Sequence, residues 1–180
     1  MKKLLLAAVA ALATAMPAMA TVDPNTNNLL AQIEGHGIEV VINTKQCEMR
    51  NIHGSYSYSY RTNVRTMTLC PGESVDAIDH STVRHEVFHA AQHCITRKRG
   101  GHSISPILSE PELRVFVDRH LTEETRQLIY ENYPQSQWAI ELEAFAAESA
   151  FTAAQLMEIF DEACDGIYFN GTRERELAGY

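Results

Sequence analysis

The sequence lacks an excess of basic residues. Its 180 residues contain 15 lysines and arginines against 23 aspartates and glutamates, a formal net charge of −8 at pH 7. An acidic chain has no electrostatic reason to bind nucleic acid or an anionic lipid surface, since both carry dense negative charge. The composition therefore disfavours both partners.

Long apolar runs are missing except at the start, MKKLLLAAVAALATAMPAMA. Two lysines precede an apolar run from Leu4 to Ala15, and Ala18-Met19-Ala20 is a small-residue cleavage site. This order is typical of a secretory signal peptide. A membrane-spanning helix would need about 20 apolar residues, and Pro17 with the polar residues that follow disfavours one. We expect residues 1–20 to be a signal peptide cleaved after Ala20, leaving a periplasmic or secreted protein without membrane contact.

Internal repeats, low-complexity blocks and glycine/serine linkers are also absent, so we expect residues 21–180 to form a single domain. Residues 21–34 read as a polar lead-in. Two stretches follow, GIEVVINTKQCEMRNI and SYSYSYRTNVRTMTLCPG. Both are rich in β-branched and aromatic residues, and the character of the residues alternates along each, as in a strand. Helical patterns with capping residues at Ser109, Thr122 and Thr152 then follow. The predicted class is α+β, a small mostly antiparallel sheet at about residues 38–70 followed by a helical majority.

Three tyrosines of the strand-rich segment alternate with serines. Tyr56, Tyr58 and Tyr60 would share one face of a strand, because successive side chains of a strand point to opposite sides. They either pack on the core or line a substrate site.

Closely spaced cysteine pairs of the Cys-x-x-Cys kind, which a cysteine-rich zinc site needs, do not occur. Four cysteines in an oxidising compartment predict two disulfides, with three pairings to choose from. Cys47 and Cys70 flank the strand-rich segment and would close one local loop. Cys94 is then left to pair with Cys164.

The stretch HEVFHAAQHC, His85 to Cys94, is the one motif that carries chemistry. We expect a helix from Asp79 or Ser81 to about Ile95. At about 100° per residue, His89 lies about 40° and Glu86 about 100° from His85, while the apolar residues lie opposite. Two histidines four residues apart can bind one metal ion, and an adjacent glutamate can activate water. The alternative is a surface helix with two incidental histidines.

The third histidine of the stretch does not fit the same ion. His93 lies about 12 Å along the axis from His85, two turns away, and the glycine turn of an HExxHxxGxxH pattern is missing. We expect Gln92 and His93 to support a ligand or face the substrate, or His93 to be merely solvated.

The remaining protein ligand is expected on a later helix, WAIELEAFAAES, whose inward face is predicted to carry Trp138, Leu142, Phe145 and Ser149. Measured from Trp138, Glu141 lies at about −60°, Glu143 at about 140° and Glu148 at about −80°. Glu141 is the predicted ligand. Glu143 is the alternative, although its phase predicts a solvated charge. Glu148 is expected to hydrogen-bond a ligand histidine.

These residues together resemble the zincin metallopeptidases of the gluzincin type, in which His-Glu-x-x-His is completed by a glutamate on a later helix. Glu141-Leu-Glu-Ala144 resembles the Glu-x-x-Ala form of that helix, and Phe145 departs from the aspartate of thermolysin-like members. The resemblance implies one Zn²⁺ per chain bound by His85, His89 and Glu141, with Glu86 as the catalytic general base. It also implies an edge strand lining the cleft, for which RTMTLC is the candidate.

The predicted function is a secreted or periplasmic zinc peptidase acting on peptides or proteins. The alternatives are a non-catalytic zinc-binding or interaction domain and a zinc hydrolase acting on another bond. The sequence leaves the residue that stabilises the oxyanion open among Tyr130, Tyr133, Tyr168, His93 and His102.

Overall fold

The computed structural model describes residues 26–42, 45, 47, 53–70 and 80–167, so the predicted signal peptide and its cleavage site lie outside the described part. Within these residues, a first helix and three strands are followed by five more α-helices, which confirms the α+β class. In chain order the elements are α1 (Thr26–Gly35), β1 (Ile38–Ile42), β2 (Gly54–Ser59), β3 (Val64–Leu69), α2 (His80–Lys98), α3 (Glu110–His120), α4 (Glu123–Asn132), a short 3-10 helix (Gln135–Gln137), α5 (Trp138–Ala150) and α6 (Ala153–Cys164).

The sheet has the strand order β1–β3–β2. β2 and β3 form the expected antiparallel pair, with Tyr56 opposite Met67, whereas β1 and β3 are parallel, with Val40 opposite Met67. The RTMTLC segment therefore lies in the central strand, and its prediction as the edge strand is wrong. Because β3 has a neighbour on both sides, β2 is the edge strand that packs against α2.

Helix α1 replaces most of the expected polar lead-in. Leu29 and Ile33, four residues apart, are fully buried, and the helix contacts β1, α2 and α6. Two apolar residues on one face are enough to pack this short helix, because the neighbouring elements of the core provide the apolar surface that they contact.

Helix α2 runs through the middle of the fold, in contact with β2 on one side and with α5 and α6 on the other. It is buried on all sides along much of its length, polar residues included. It extends beyond the expected end near Ile95 to Lys98, where Gly100 adopts a φ of 82° that favours glycine.

The caps of the later helices are confirmed. Ser109 and Glu112 form the capping box of α3, and Thr152 and Gln155 form that of α6. The Thr122 side chain accepts a hydrogen bond from Thr125 N at the start of α4. These motifs satisfy amide groups that a helix start leaves without partners.

Two disulfides are present, with the predicted pairing. Cys47 bonds to Cys70, and Cys94 on α2 bonds to Cys164 at the end of α6. The second bond ties the central helix to the last one. Among the described residues, no helix combines the length and the apolar character needed to cross a membrane.

Candidate metal centre

His85 and His89 lie on consecutive turns of α2, with their ring centroids 4.6 Å apart. Both are buried, and the His85 ring packs on Phe145 of α5 with 4.4 Å between ring centroids. The four-residue spacing thus brings both rings to the same side of α2.

Glu141 of α5 completes the group. Its Oε2 atom lies 3.3 Å from His85 Nε2 and 3.4 Å from His89 Nε2. This oxygen is buried and, among the described residues, has no hydrogen-bond partner. One donor atom from each residue falls within 4.8 Å of the others, so the group could hold a metal ion.

The far sides of the two imidazoles are held by other residues. His85 Nδ1 lies 3.2 Å from Glu148 Oε2, as expected of Glu148, and His89 Nδ1 lies 2.7 Å from Gln92 Oε1. Both partner atoms accept hydrogen bonds, which places the Nδ1 proton outside the group and the Nε2 atom inside it.

The electrostatics of the group favour a compensating positive charge. Burial disfavours an ionised His85, but its contacts with Glu141 and Glu148 raise the pKa of His85 to about 10. Burial likewise disfavours an ionised Glu141, but His85 and His89 lower the pKa of that carboxyl to about 2. The carboxylate therefore needs a proton on a histidine or a metal cation beside it.

Glu86 lies on the same turn of α2 and faces the edge of β2. Burial raises its pKa, and its Oε2 atom is a second buried oxygen for which the described residues offer no hydrogen-bond partner. The backbone N–H of Tyr56 donates to the carboxylate. A Cβ on Gly54 would lie 2.6 Å from Thr82 Cγ2 and 3.0 Å from Glu86 Oε1, so glycine allows β2 to approach the carboxylate.

All four residues line one cleft of about 770 Å³. Its walls are the start of β2, the loop after α2, and the segment between α4 and α5. The uncharged residues among the lining include Ser55, Ser103, Ile104, Tyr133, Ser136 and Ile140.

Tyr133 is the only one of the oxyanion candidates within the described residues that lines this cleft. Burial and the nearby carboxylates of Glu141, Glu86 and Glu148 raise its pKa to about 12, so its hydroxyl keeps its proton. Tyr130 packs instead on Trp138.

His102, one of the two histidine candidates for stabilising the oxyanion, is hydrogen-bonded to Arg97 and does not line the cleft. Tyr168 lies outside the described residues.

His93 is fully buried, so the alternative that it is merely solvated is wrong. Its Nδ1 atom lies 2.8 Å from Tyr56 Oη, and its ring packs on Tyr58 at 4.5 Å between centroids. The third histidine is part of the contact between α2 and the sheet. Tyr56 serves both the core and the cleft, whereas Tyr60 lies past the end of β2 and is exposed.

Glu143 is also fully buried, which contradicts its prediction as a solvated charge. Its carboxylate accepts hydrogen bonds from Gln92 Nε2 at 2.8 Å, Ile107 N at 2.8 Å and Leu108 N at 2.7 Å. Burial raises its pKa to about 7 against these three donors. It is not in the group that could hold a metal. Nothing in the helical phase of α5 indicated this role, since its partners lie on α2 and a loop.

No family model, no curated protein and no solved structure matches this chain.

Proposed function

We propose that this protein is a zinc-dependent peptidase that holds one zinc ion through His85, His89 and Glu141. The observation that carries the proposal is that the ligand atoms of these three residues lie close together in one cleft. Two imidazole nitrogens and a buried carboxylate oxygen lie within 4.8 Å of one another, and Glu86 lines the same cleft.

The donor set suits zinc. Catalytic zinc sites commonly use three protein ligands of the imidazole and carboxylate kind and keep one position for water or substrate. When bound, the ion supplies Lewis acidity, which polarises a carbonyl and lowers the pKa of water to about 7.

Glu86 acts as the general base. It takes the proton from the attacking water and passes it to the nitrogen that leaves the cleaved peptide bond. Its burial supports this role, because a carboxylate whose pKa is raised is a better proton acceptor. The hydrogen bond that its carboxylate accepts from the backbone N–H of Tyr56 holds it beside the ligands.

Tyr133 acts as the donor to the developing oxyanion, since its hydroxyl keeps its proton in the cleft. Gly54 and Ser55 of the edge strand β2 line the cleft. An extended peptide could add to this edge by backbone hydrogen bonds, as peptides do at other sheet edges.

The two disulfides are compatible with an oxidising compartment. Together with the leader-like start of the sequence, they support a place in the periplasm or outside the cell.

Glu86→Gln tests the peptidase mechanism. The variant should keep its zinc content and its thermal stability, because Glu86 is not one of the three ligands. Its activity on casein and on a diverse peptide library should fall about 10²–10⁴-fold. Glu158→Gln is the matched control, since Glu158 is an exposed glutamate of α6.

A Glu86→Gln protein that cleaves peptides at the parent's rate would refute this mechanism. If neither form cleaves any peptide while both hold zinc, the non-catalytic zinc-binding domain becomes the better account. Cleavage of a non-peptide ester or amide alone, lost in the variant, would favour the other zinc hydrolases.

A further inference from the structure

Glu143 connects the metal-binding helix to the wall of the cleft. Its carboxylate accepts three hydrogen bonds. One comes from the side chain of Gln92 on α2, and two come from the backbone N–H groups of Ile107 and Leu108 in the loop after α2. A fully buried carboxylate is costly unless its oxygens are hydrogen-bonded. Here every partner donates, which suits the ionised form of the side chain.

The environment of Gln92 allows one orientation of its amide. At one end Nε2 faces Glu143 Oε2 at 2.8 Å and the backbone oxygen of Ile140 at 3.1 Å. A carboxylate and a carbonyl only accept hydrogen bonds, so the amino group of Gln92 must lie at this end. Its oxygen then faces His89 Nδ1 at 2.7 Å.

That orientation determines where His89 carries its proton. An amide oxygen accepts and cannot donate, so the nitrogen beside it, Nδ1, carries the hydrogen. The lone pair of neutral His89 is then on Nε2, the atom that faces Glu141. The chain of contacts from Glu143 through Gln92 thus presents the correct nitrogen to a metal ion.

The same carboxylate holds the loop after α2, whose residues Ser103 and Ile104 line the cleft. Two side chains at the end of α2, Thr96 and Arg99, also hold this loop. Thr96 Oγ1 lies 2.7 Å from Ser105 Oγ, and Arg99 donates to the backbone oxygens of Pro106 and Ile107 at 3.0 Å and 2.8 Å.

We propose that Glu143 is a positioning residue that orients His89 for metal binding through Gln92 and fixes the cleft wall through Ile107 and Leu108. The proposal rests on the proposed function, because it assigns Glu143 to the same zinc site. Glu143 is neither in the group that could hold a metal nor in the lining of the cleft.

Two variants at position 143 separate the two roles. Glu143→Met keeps the volume and removes every acceptor. Glu143→Gln keeps one oxygen, which fits best at the position of Oε2, where it can still accept from Gln92 and Ile107. The side-chain amino group of the new glutamine then takes the position of Oε1 and faces the N–H of Leu108. Both groups are donors, so Leu108 loses its hydrogen bond.

Zinc affinity, measured by competition with a chromophoric chelator, tests the contact with His89. Glu143→Met and Gln92→Met should each weaken zinc binding about 10–100-fold, the usual effect of losing a group that holds a ligand. The zinc affinity of the double variant should lie within about threefold of that of the single variant that binds zinc less tightly. The reason is that both substitutions break the same chain of contacts. Ser105→Ala, which loosens the loop without touching Gln92, should bind zinc as the parent does.

Amide hydrogen exchange by NMR tests the contact with the loop. In Glu143→Gln, Leu108 should exchange at least tenfold faster than in the parent, while Ile107 keeps its acceptor and its rate. This readout remains if Glu143→Met fails to fold, which near-UV circular dichroism would reveal.

The proposal is overturned if a folded Glu143→Met binds zinc as tightly as the parent, or if its effect multiplies with that of Gln92→Met. An unchanged Leu108 rate in Glu143→Gln also overturns it. These results differ from a failure of the proposed function, in which the parent itself binds no zinc and both proposals fall.

Discussion

At the scale of single residues, the absence of a side chain at Gly54 allows β2 to approach Glu86 closely. An added Cβ would collide with Thr82 Cγ2 and press on the Glu86 carboxylate, at 2.6 Å and 3.0 Å. A real Cβ does not keep a contact of 2.6 Å, so the strand or the side chains of Thr82 and Glu86 must shift. The proposed general base therefore depends on a residue with no side chain.

Gly54→Ala should lower peptidase activity at least tenfold while zinc content stays near that of the parent, because the change displaces Glu86 and not the three ligands. Activity and bound metal are measured on the same preparation. Gly35→Ala is the control, since a Cβ there meets nothing within 4 Å. Equal activity in both variants would contradict the position given to Glu86.

Tyr133→Phe should lower kcat by about 10²–10³, the usual cost of removing one donor to an oxyanion. KM and zinc affinity should change little, because the ring and its packing on Phe145 remain. The matched control is Tyr130→Phe, whose ring packs on Trp138. If both variants keep the parent's kcat, another group stabilises the oxyanion.

At the scale of elements, local signals were predictable from the sequence and the packing of α5 was not. The boxes at Ser109 and Thr152 involve residues three apart, so the sequence contains all the information they need. The inward face of α5 was predicted from apolar residues such as Phe145. Phe145 is only half-buried, and Ser149, which was placed on the same face, is exposed.

The reason is that α5 contacts three helices, α2, α3 and α4. A helix surrounded in this way has no single apolar face, so the phase of Trp138 and Leu142 could not reveal that Glu143 is buried. Glu141 does lie beside the two histidines, as predicted, although the apolar face used to predict it is not the buried side of α5.

The disulfide between α2 and α6 should contribute more stability than the one beside the sheet. It spans 70 residues against 23 for Cys47–Cys70. A longer closed loop removes more entropy from the unfolded chain, about 4 kcal/mol against about 3 kcal/mol. Urea unfolding should therefore find Cys94→Ala/Cys164→Ala less stable than Cys47→Ala/Cys70→Ala. The reverse order would mean that strain or residual unfolded structure outweighs loop length.

At the scale of the whole molecule, the fold places one helix, α2, where it can serve both the core and the site. Its histidine pair follows from four-residue spacing and was readable in the sequence. The edge position of β2 was not readable, because it depends on β1 pairing with the far side of β3. Such pairing between distant strands leaves no local signal in the residues that form it.

The central claim is that His85, His89 and Glu141 hold a zinc ion. X-ray absorption at the zinc edge of the purified protein, with the metal quantified per chain, tests it most directly. We predict about one zinc per chain, bound by two imidazole nitrogens and further oxygen donors without sulfur. In Glu141→Ala the bound zinc should be largely lost after brief dialysis against a chelator. A protein that takes up no zinc, or a Glu141→Ala variant with the parent's metal content and spectrum, would contradict the claim.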